Sequence, residues 1–168
     1  MAAYTELLAS IQRDAANATK VVLPEAWMQG RTTYGGLTAA LCLEAATPLA
    51  PGMPIRSAQV AFVGPVGGEV TCTPTLLRQG KNTVFVSVRM MGSDGVAAEA
   101  IFAFGAPRES ALDFNDLKAP DVTSPEDTVS YFGDNPNRPH FTRNFNMRLV
   151  AGDRPVSGAD KGDVTIWM

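Results

Sequence analysis

The constraint that most limits this chain is the run Leu37-Thr38-Ala39-Ala40-Leu41-Cys42-Leu43-Glu44-Ala45-Ala46, opened by Gln29-Gly30-Arg31-Thr32-Thr33-Tyr34-Gly35-Gly36. The run reads as a helix that is apolar on almost every side, and such a helix has to be enclosed by the rest of the fold. A polar stretch ending in two glycines precedes it. Free backbone N–H groups and the positive end of the helix dipole point out of that terminus, and paired glycines let another group come close to the backbone. The start of this helix is therefore the first place to look for chemistry.

What could enclose the helix follows it in sequence. Pro48 stops the helix after Thr47, and Pro51-Gly52-Met53-Pro54 makes a hard loop. Four runs rich in Val, Phe, Thr and Ile come next: Ile55 to Val63, Glu69 to Leu77, Thr83 to Met91 and Val96 to Phe104. Between them lie Gly64-Pro65-Val66-Gly67-Gly68, Gln79-Gly80-Lys81-Asn82 and Gly92-Ser93-Asp94-Gly95. Connections this short join antiparallel strands, since a parallel crossover needs a dozen or more residues. In the third run Val84, Val86, Val88 and Met90 alternate with Phe85, Ser87, Arg89 and Met91, which predicts a sheet with one strongly buried face. Upstream, Tyr4 to about Ala16 reads as a helix and Lys20 to Leu23 as a short strand halted by Pro24. The expected unit is α+β, a curved antiparallel sheet wrapped around one long helix.

Downstream, prolines at 120, 125, 136 and 139 mark residues 107–143 as a linker with one short helix near Glu126 to Phe132. Strand-like sequence returns at Phe145 to Val150 and at Val164 to Met168. This tail has to pair with something to satisfy its backbone.

Composition narrows the function. The chain has 168 residues, a net charge of -3, 45% hydrophobic and 18% charged residues, which describes a folded globular protein. So mild an acidity gives no electrostatic reason to expect nucleic acid or an anionic membrane as partner. No apolar run is long enough to cross a bilayer, and the first residues are not a secretory signal. Cys42 and Cys72 read as buried thiols, and a cytoplasmic protein is expected. With His140 as the only histidine, neither a His-based metal site nor a Ser-His-Asp triad has material to draw on.

Several segments taken in order carry a resemblance: Tyr34-Gly35-Gly36 opening the apolar helix, Arg56 to Phe62, Gly64-Pro65-Val66, Leu77 to Asn82 and Glu99 to Gly105. Together they resemble the acyl-CoA thioesterase II family of double hotdog proteins. The resemblance implies a hotdog fold over residues 1–106, a linker over 107–143 and, over 144–168, the incomplete start of a second hotdog unit. It implies hydrolysis of an acyl-CoA thioester by water, with coenzyme A as part of the substrate, no other cofactor and no metal. It also implies a place in fatty acid metabolism. A homo-oligomer, or pairing with a second hotdog unit, is expected. The family's water-activating Asp, Thr or Ser, and Gln belong to the second unit, beyond the residues of this sequence.

Candidate site residues are weighed against simpler roles. The N–H groups of Gly35 and Gly36 suit an oxyanion, or the glycines only permit close packing. Glu44, about two turns on, is a candidate base if buried, or else it is solvated or paired. Some single-unit hotdog thioesterases resemble this in carrying a carboxylate on the same helix. Gln29, Thr32, Thr33 and Tyr34 are candidates to line the thioester site, although for Thr33 capping the helix is sufficient reason. Arg78 and Lys81, at a hairpin turn, are candidates for coenzyme A phosphates, with Arg56 and Arg89 as weaker ones. His140 reads as structural or exposed rather than catalytic, and the Met90-Met91 pair as core. A non-catalytic acyl-CoA-binding or dimerisation module is the alternative function. A hotdog dehydratase or hydratase, which relies on a histidine, is disfavoured.

Overall fold

The computed structural model describes residues 4–154 and 157–168 and divides the chain into two compact units, one ending at Glu109 and one spanning Ser110–Met168. In the first, helix α2 (Gly35–Ala46) lies against a six-stranded antiparallel sheet. Its strands are β1 (Gln12–Arg13), β2 (Thr19–Leu23), β5 (Ile55–Phe62), β6 (Gly68–Gln79), β7 (Thr83–Gly92) and β8 (Gly95–Gly105), in the order β1-β2-β6-β7-β8-β5.

The alternation in β7 is realised in full. Val84, Val86, Val88 and Met90 are buried and pair across the ladder with Phe104, Phe102, Ala100 and Ala98, which are buried too. Residues directly opposite in a ladder share a face, so these eight side chains form one continuous floor. Leu37, Leu41, Cys42, Ala45 and Ala46 of α2 fill the space above it. The opposite face is wetter, and there Arg89 bonds Glu99 across the ladder. Pro74 is tolerated in β6 because β2 reaches only as far as Cys72, which leaves that side of β6 without a neighbour to bond.

One polar thread crosses this core. The buried thiols of Cys42 and Cys72 hydrogen-bond each other, and the buried Thr19 hydroxyl bonds the Cys72 sulfur. The bond to Cys72 and burial together push the Cys42 thiol above its ordinary range.

Three expectations are corrected. The helix read from Tyr4 to Ala16 ends at Ala9 as α1 (Tyr4–Ala9), and Gln12 and Arg13 turn into the sheet against Lys20 and Thr19. Asp14 is the cause: its Oδ1 accepts the N–H groups of Ala16 at 2.9 Å and Ala18 at 2.8 Å. Asn17 takes a left-handed φ of 63°, and side-chain bonds of this kind compete with a helix. The α2 helix stops one residue before Thr47, and Thr47–Leu49 tightens into a 3-10 turn around Pro48. The short helix read near Glu126 to Phe132 is a 3-10 turn (Pro125–Asp127) followed by strand β9 (Val129–Ser130).

In the second unit β10 (Arg148–Gly152) pairs on one side with β9 and on the other with β11 (Val164–Trp167). The Arg148 guanidinium donates to the carbonyls of Pro125 and Thr128, and Trp167 Nε1 donates to the carbonyl of Thr123 at 2.9 Å. The tail strands thus find neighbours in each other and in β9.

Candidate active site

The polar stretch before α2 is folded rather than loose. Strands β3 (Met28–Gln29) and β4 (Thr32–Thr33) form a hairpin across Gly30-Arg31, and Gly30 supplies the left-handed φ of 68° that so short a turn demands. The Tyr34 N–H donates to the Trp27 carbonyl at 2.9 Å, which seats the chain at the N-cap of α2. This helix has no side-chain cap, so the capping role expected of Thr33 is corrected. Thr33 is buried and its hydroxyl donates to the Met28 sulfur at 3.4 Å. A cap needs its oxygen over the first N–H groups of the helix, and Thr33 points elsewhere. The N–H groups of Gly35 and Gly36 consequently take no backbone acceptor among the described residues.

The reason for the two glycines is steric as well. A Cβ on Gly35 would lie 3.2 Å from the Phe62 ring, and a Cβ on Gly36 would collide with the Tyr34 ring. Two aromatic rings therefore flank the start of the helix, and only glycine lets both come so close.

A cavity of about 410 Å³ opens beside Gly35. Gln29, Thr32 and Thr33 line it from the hairpin, Thr38 from the first turn of α2, Phe62 from the end of β5, and the Val63–Val66 loop closes it with Ala97. Hydrogen bonds hold that loop firmly. Val63 and Gly64 both donate to the Ala97 carbonyl, Val66 N–H donates to Thr32 Oγ1 at 3.0 Å, and Thr33 N–H donates to the Val66 carbonyl at 2.7 Å. Thr32 is thus a fastener of the cavity wall.

Of the residues singled out from sequence, Gln29, Thr32, Thr33 and Gly35 meet in this cavity, whereas Tyr34 and Gly36 adjoin Gly35 in the chain but do not line it. Glu44 does not join them. At 1.5 Å per residue it lies roughly 13 Å along α2 from Gly35, at the other end of the helix. Its carboxylate accepts the Tyr4 hydroxyl, while its backbone carbonyl accepts an Arg13 N–H at 3.0 Å. Burial pushes the Tyr4 phenol up and the Glu44 charge adds to that. Tyr4 also sets its ring edge against Trp27, with centroids 6.5 Å apart, so this contact docks α1 onto the unit.

Arg78 and Lys81 do not reach the cavity either. They lie exposed at the β6–β7 turn, whereas the cavity is near the Gly68 end of β6. A strand of this length separates its ends by roughly 36 Å along its course. Arg56 donates to the Gly105 carbonyl at 3.0 Å, and His140 is exposed in the second unit. Thr38, Phe62 and the Val63–Val66 loop were not singled out from sequence as site residues, although Phe62 and Gly64-Pro65-Val66 belong to segments that carry the family resemblance. Thr38 was hidden in an apolar helix, and Phe62 ends a strand whose other residues read as sheet. Among the described residues no group of three or more His, Cys, Asp or Glu is placed to hold a metal, and no helix is long and apolar enough to cross a membrane.

An antiparallel sheet wrapped around one helix, with a donor-bearing cavity at the start of that helix, defines the hotdog class. A conserved hot dog protein of unknown function from Alicyclobacillus acidocaldarius superposes with a TM-score of 0.76 at 22% identity, covering 88% of this chain and 55% of its own. The TesB protein of Mycobacterium avium subsp. paratuberculosis superposes at 0.70 with 19% identity, covering 89% and 55%. A Bacillus halodurans protein solved with CoA does so at 0.54 with 19% identity, covering 62% and 76%. The chain therefore spans about half the length of the first two. No curated protein matches it significantly by sequence. Residues 23–105, within the first unit, match the family of the acyl-CoA thioesterase N-terminal domain.

Proposed function

We propose that the first unit is the donor half of an acyl-CoA thioesterase site, placing the thioester carbonyl at the start of α2 for attack by water. The observation that carries this is that Gly35, whose N–H like that of Gly36 takes no backbone acceptor among the described residues, lines a cavity large enough for an acyl thioester. Donors fixed in advance at a helix N-terminus stabilise the negative oxygen that forms when water adds to a thioester carbonyl. The exposed amide of Gln29 sits at the cavity mouth, where it suits holding a water. Phe62 and Val66 supply an apolar wall for the first carbons of the acyl chain. The CoA carried by the Bacillus halodurans relative supports coenzyme A as the carrier group. No further cofactor enters the reaction, and a cytoplasmic site fits a substrate of this kind.

The partner in this reading is a second hotdog unit, from the same chain type or continuing it, set against β5. That strand is an edge of the sheet. Ala58 and Phe62 pair with the buried Phe102 and Ala98 and so face the same side, yet both are exposed. An apolar edge of this kind is completed by another chain or domain.

A second reading, a non-catalytic acyl-CoA-binding or pairing module, is favoured by one observation: no carboxylate lines the cavity. One experiment separates the two. Thiol release from acyl-CoAs of two to twelve carbons is followed with this chain, alongside calorimetric binding of the same compounds. Hydrolysis is expected, with the proton-accepting group supplied by the second unit set against β5, here a second copy of this chain; binding without release selects the module, and neither binding nor release refutes both.

A further inference from the structure

The hydroxyls around the cavity are not equivalent. Thr32 accepts the Val66 N–H and Thr33 donates to the Met28 sulfur, so both are engaged within the protein. Thr38 is 2% exposed, lines the same cavity, and its side chain bonds none of the described residues. A threonine in or at the end of a helix can return its hydroxyl to the carbonyl one turn back, as Thr47, just past the end of α2, does to Leu43 at 2.8 Å. The corresponding carbonyl before Thr38 is that of Tyr34, and it already takes the N–H groups of Leu37 at 3.0 Å and Thr38 at 3.2 Å. No sealed side-chain polar atom among the described residues lacks a partner. The Thr38 oxygen is therefore not closed into the core and opens into the cavity. A hydroxyl in so buried a side chain costs free energy unless something in the cavity satisfies it.

The geometry points to Thr38 as a substrate-contacting residue whose hydroxyl donates to the carbonyl oxygen of the acyl thioester. It stands one helical turn after Gly35, on the neighbouring position of the same face, so its proton and the Gly35 N–H converge on one acceptor. The positive end of α2 favours an oxygen that carries partial negative charge, and the apolar Phe62 and Val66 line the cavity beside it. This inference rests on the acyl-CoA reading given above and adds the residue that recognises the carbonyl.

Two non-hydrolysable ligands test it by calorimetry. One is a ketone analogue in which a methylene replaces the thioester sulfur of an acyl-CoA. The other is the S-alkyl-CoA thioether of equal chain length, which has no carbonyl. Wild type binds the ketone more tightly than the thioether. Thr38→Val keeps the shape and removes the donor, so it weakens the ketone about tenfold, as expected for one lost hydrogen bond, and leaves the thioether within about twofold. Thr38→Ser restores the ketone, and Thr38→Ala gives the same comparison if the valine variant does not fold. Equal losses for both ligands, or none for the ketone, overturn the role of Thr38 while the acyl-CoA reading stands. Wild type that binds neither ligand overturns both.

Discussion

Replacing Thr32 by valine isolates the fastener that gives the cavity its wall. The substitution preserves volume and β-branching, so strand β4 and its packing are kept while the oxygen is lost. That oxygen receives the Val66 N–H at 3.0 Å, and Val66 is only 6% exposed. Losing a neutral hydrogen bond costs about 1 kcal/mol, and stranding a buried N–H costs about 1–3 kcal/mol. Thr32 borders an open cavity from which water can replace part of the bond, so about 1–2 kcal/mol is expected. Urea unfolding followed by the fluorescence of Trp27, 5% exposed in the same unit, measures this directly. Amide exchange locates it: the Val66 N–H exchanges about tenfold faster or more, since each 1.4 kcal/mol is a factor of ten. The Val66 carbonyl keeps its bond to Thr33, so the loop loosens without detaching. Thr32→Ser retains the oxygen and stays within about 0.5 kcal/mol of wild type. A Thr32→Val protein equal in stability to wild type, with Val66 still protected, would refute the reasoning.

Gly36→Ala places a methyl where the Tyr34 ring lies. The ring has to swing away, at a cost of about 1 kcal/mol for leaving its rotamer, while alanine returns up to about 1 kcal/mol of helix propensity. Stability therefore changes little, the near-ultraviolet circular dichroism of Tyr34 changes clearly, and adding Gly36→Ala to Tyr34→Ala is stabilising; a destabilised double variant contradicts this account. The Cys42 thiol is held above its ordinary value by its bond to Cys72 and by burial. A group raised on folding contributes stability that is present below the unfolded value, about 8.5, and is lost as pH rises beyond it. The stability advantage of wild type over Cys42→Ala should accordingly shrink by up to about 1.4 kcal/mol per pH unit above that point. An advantage that stays constant from neutral pH to about pH 10 disproves it.

The parts of the fold that were legible are those where one physical cause acts alone. Burial on one face writes a period of two into β7, and Val84 to Met90 reveal it without any partner being known. The long apolar run 37–46 needed a cover and finds it on one face: Leu37, Thr38, Leu41, Cys42, Ala45 and Ala46 are buried, while Ala39, Ala40, Leu43 and Glu44 stay half-buried. What sequence concealed depends on competition or on distance. The first helix ended early because Asp14 and Asn17 offered the backbone a rival set of bonds, which a count of apolar spacing does not weigh. Glu44 met Tyr4 from the far end of the chain, and Arg78 and Lys81 stood at the wrong end of a long strand. Only the packed sheet decides which ends come together.

The glycine pair shows why local reading stopped short of the site. From sequence, Gly35 and Gly36 offered two explanations, free donors or close packing, set against each other as alternatives. In the folded unit these are one arrangement. The Phe62 and Tyr34 rings can approach because no Cβ stands in their way, and no side chain caps the helix, which begins with Gly35 in the cavity wall. An alanine at either position would disturb both properties together. The same geometry limits what this unit can do by itself. Its cavity gathers neutral donors and apolar walls around the start of a helix, and such a set stabilises negative charge on an oxygen but removes no proton from water. In the reading proposed above, proton removal therefore falls to a group that the second hotdog unit sets against the edge strand β5.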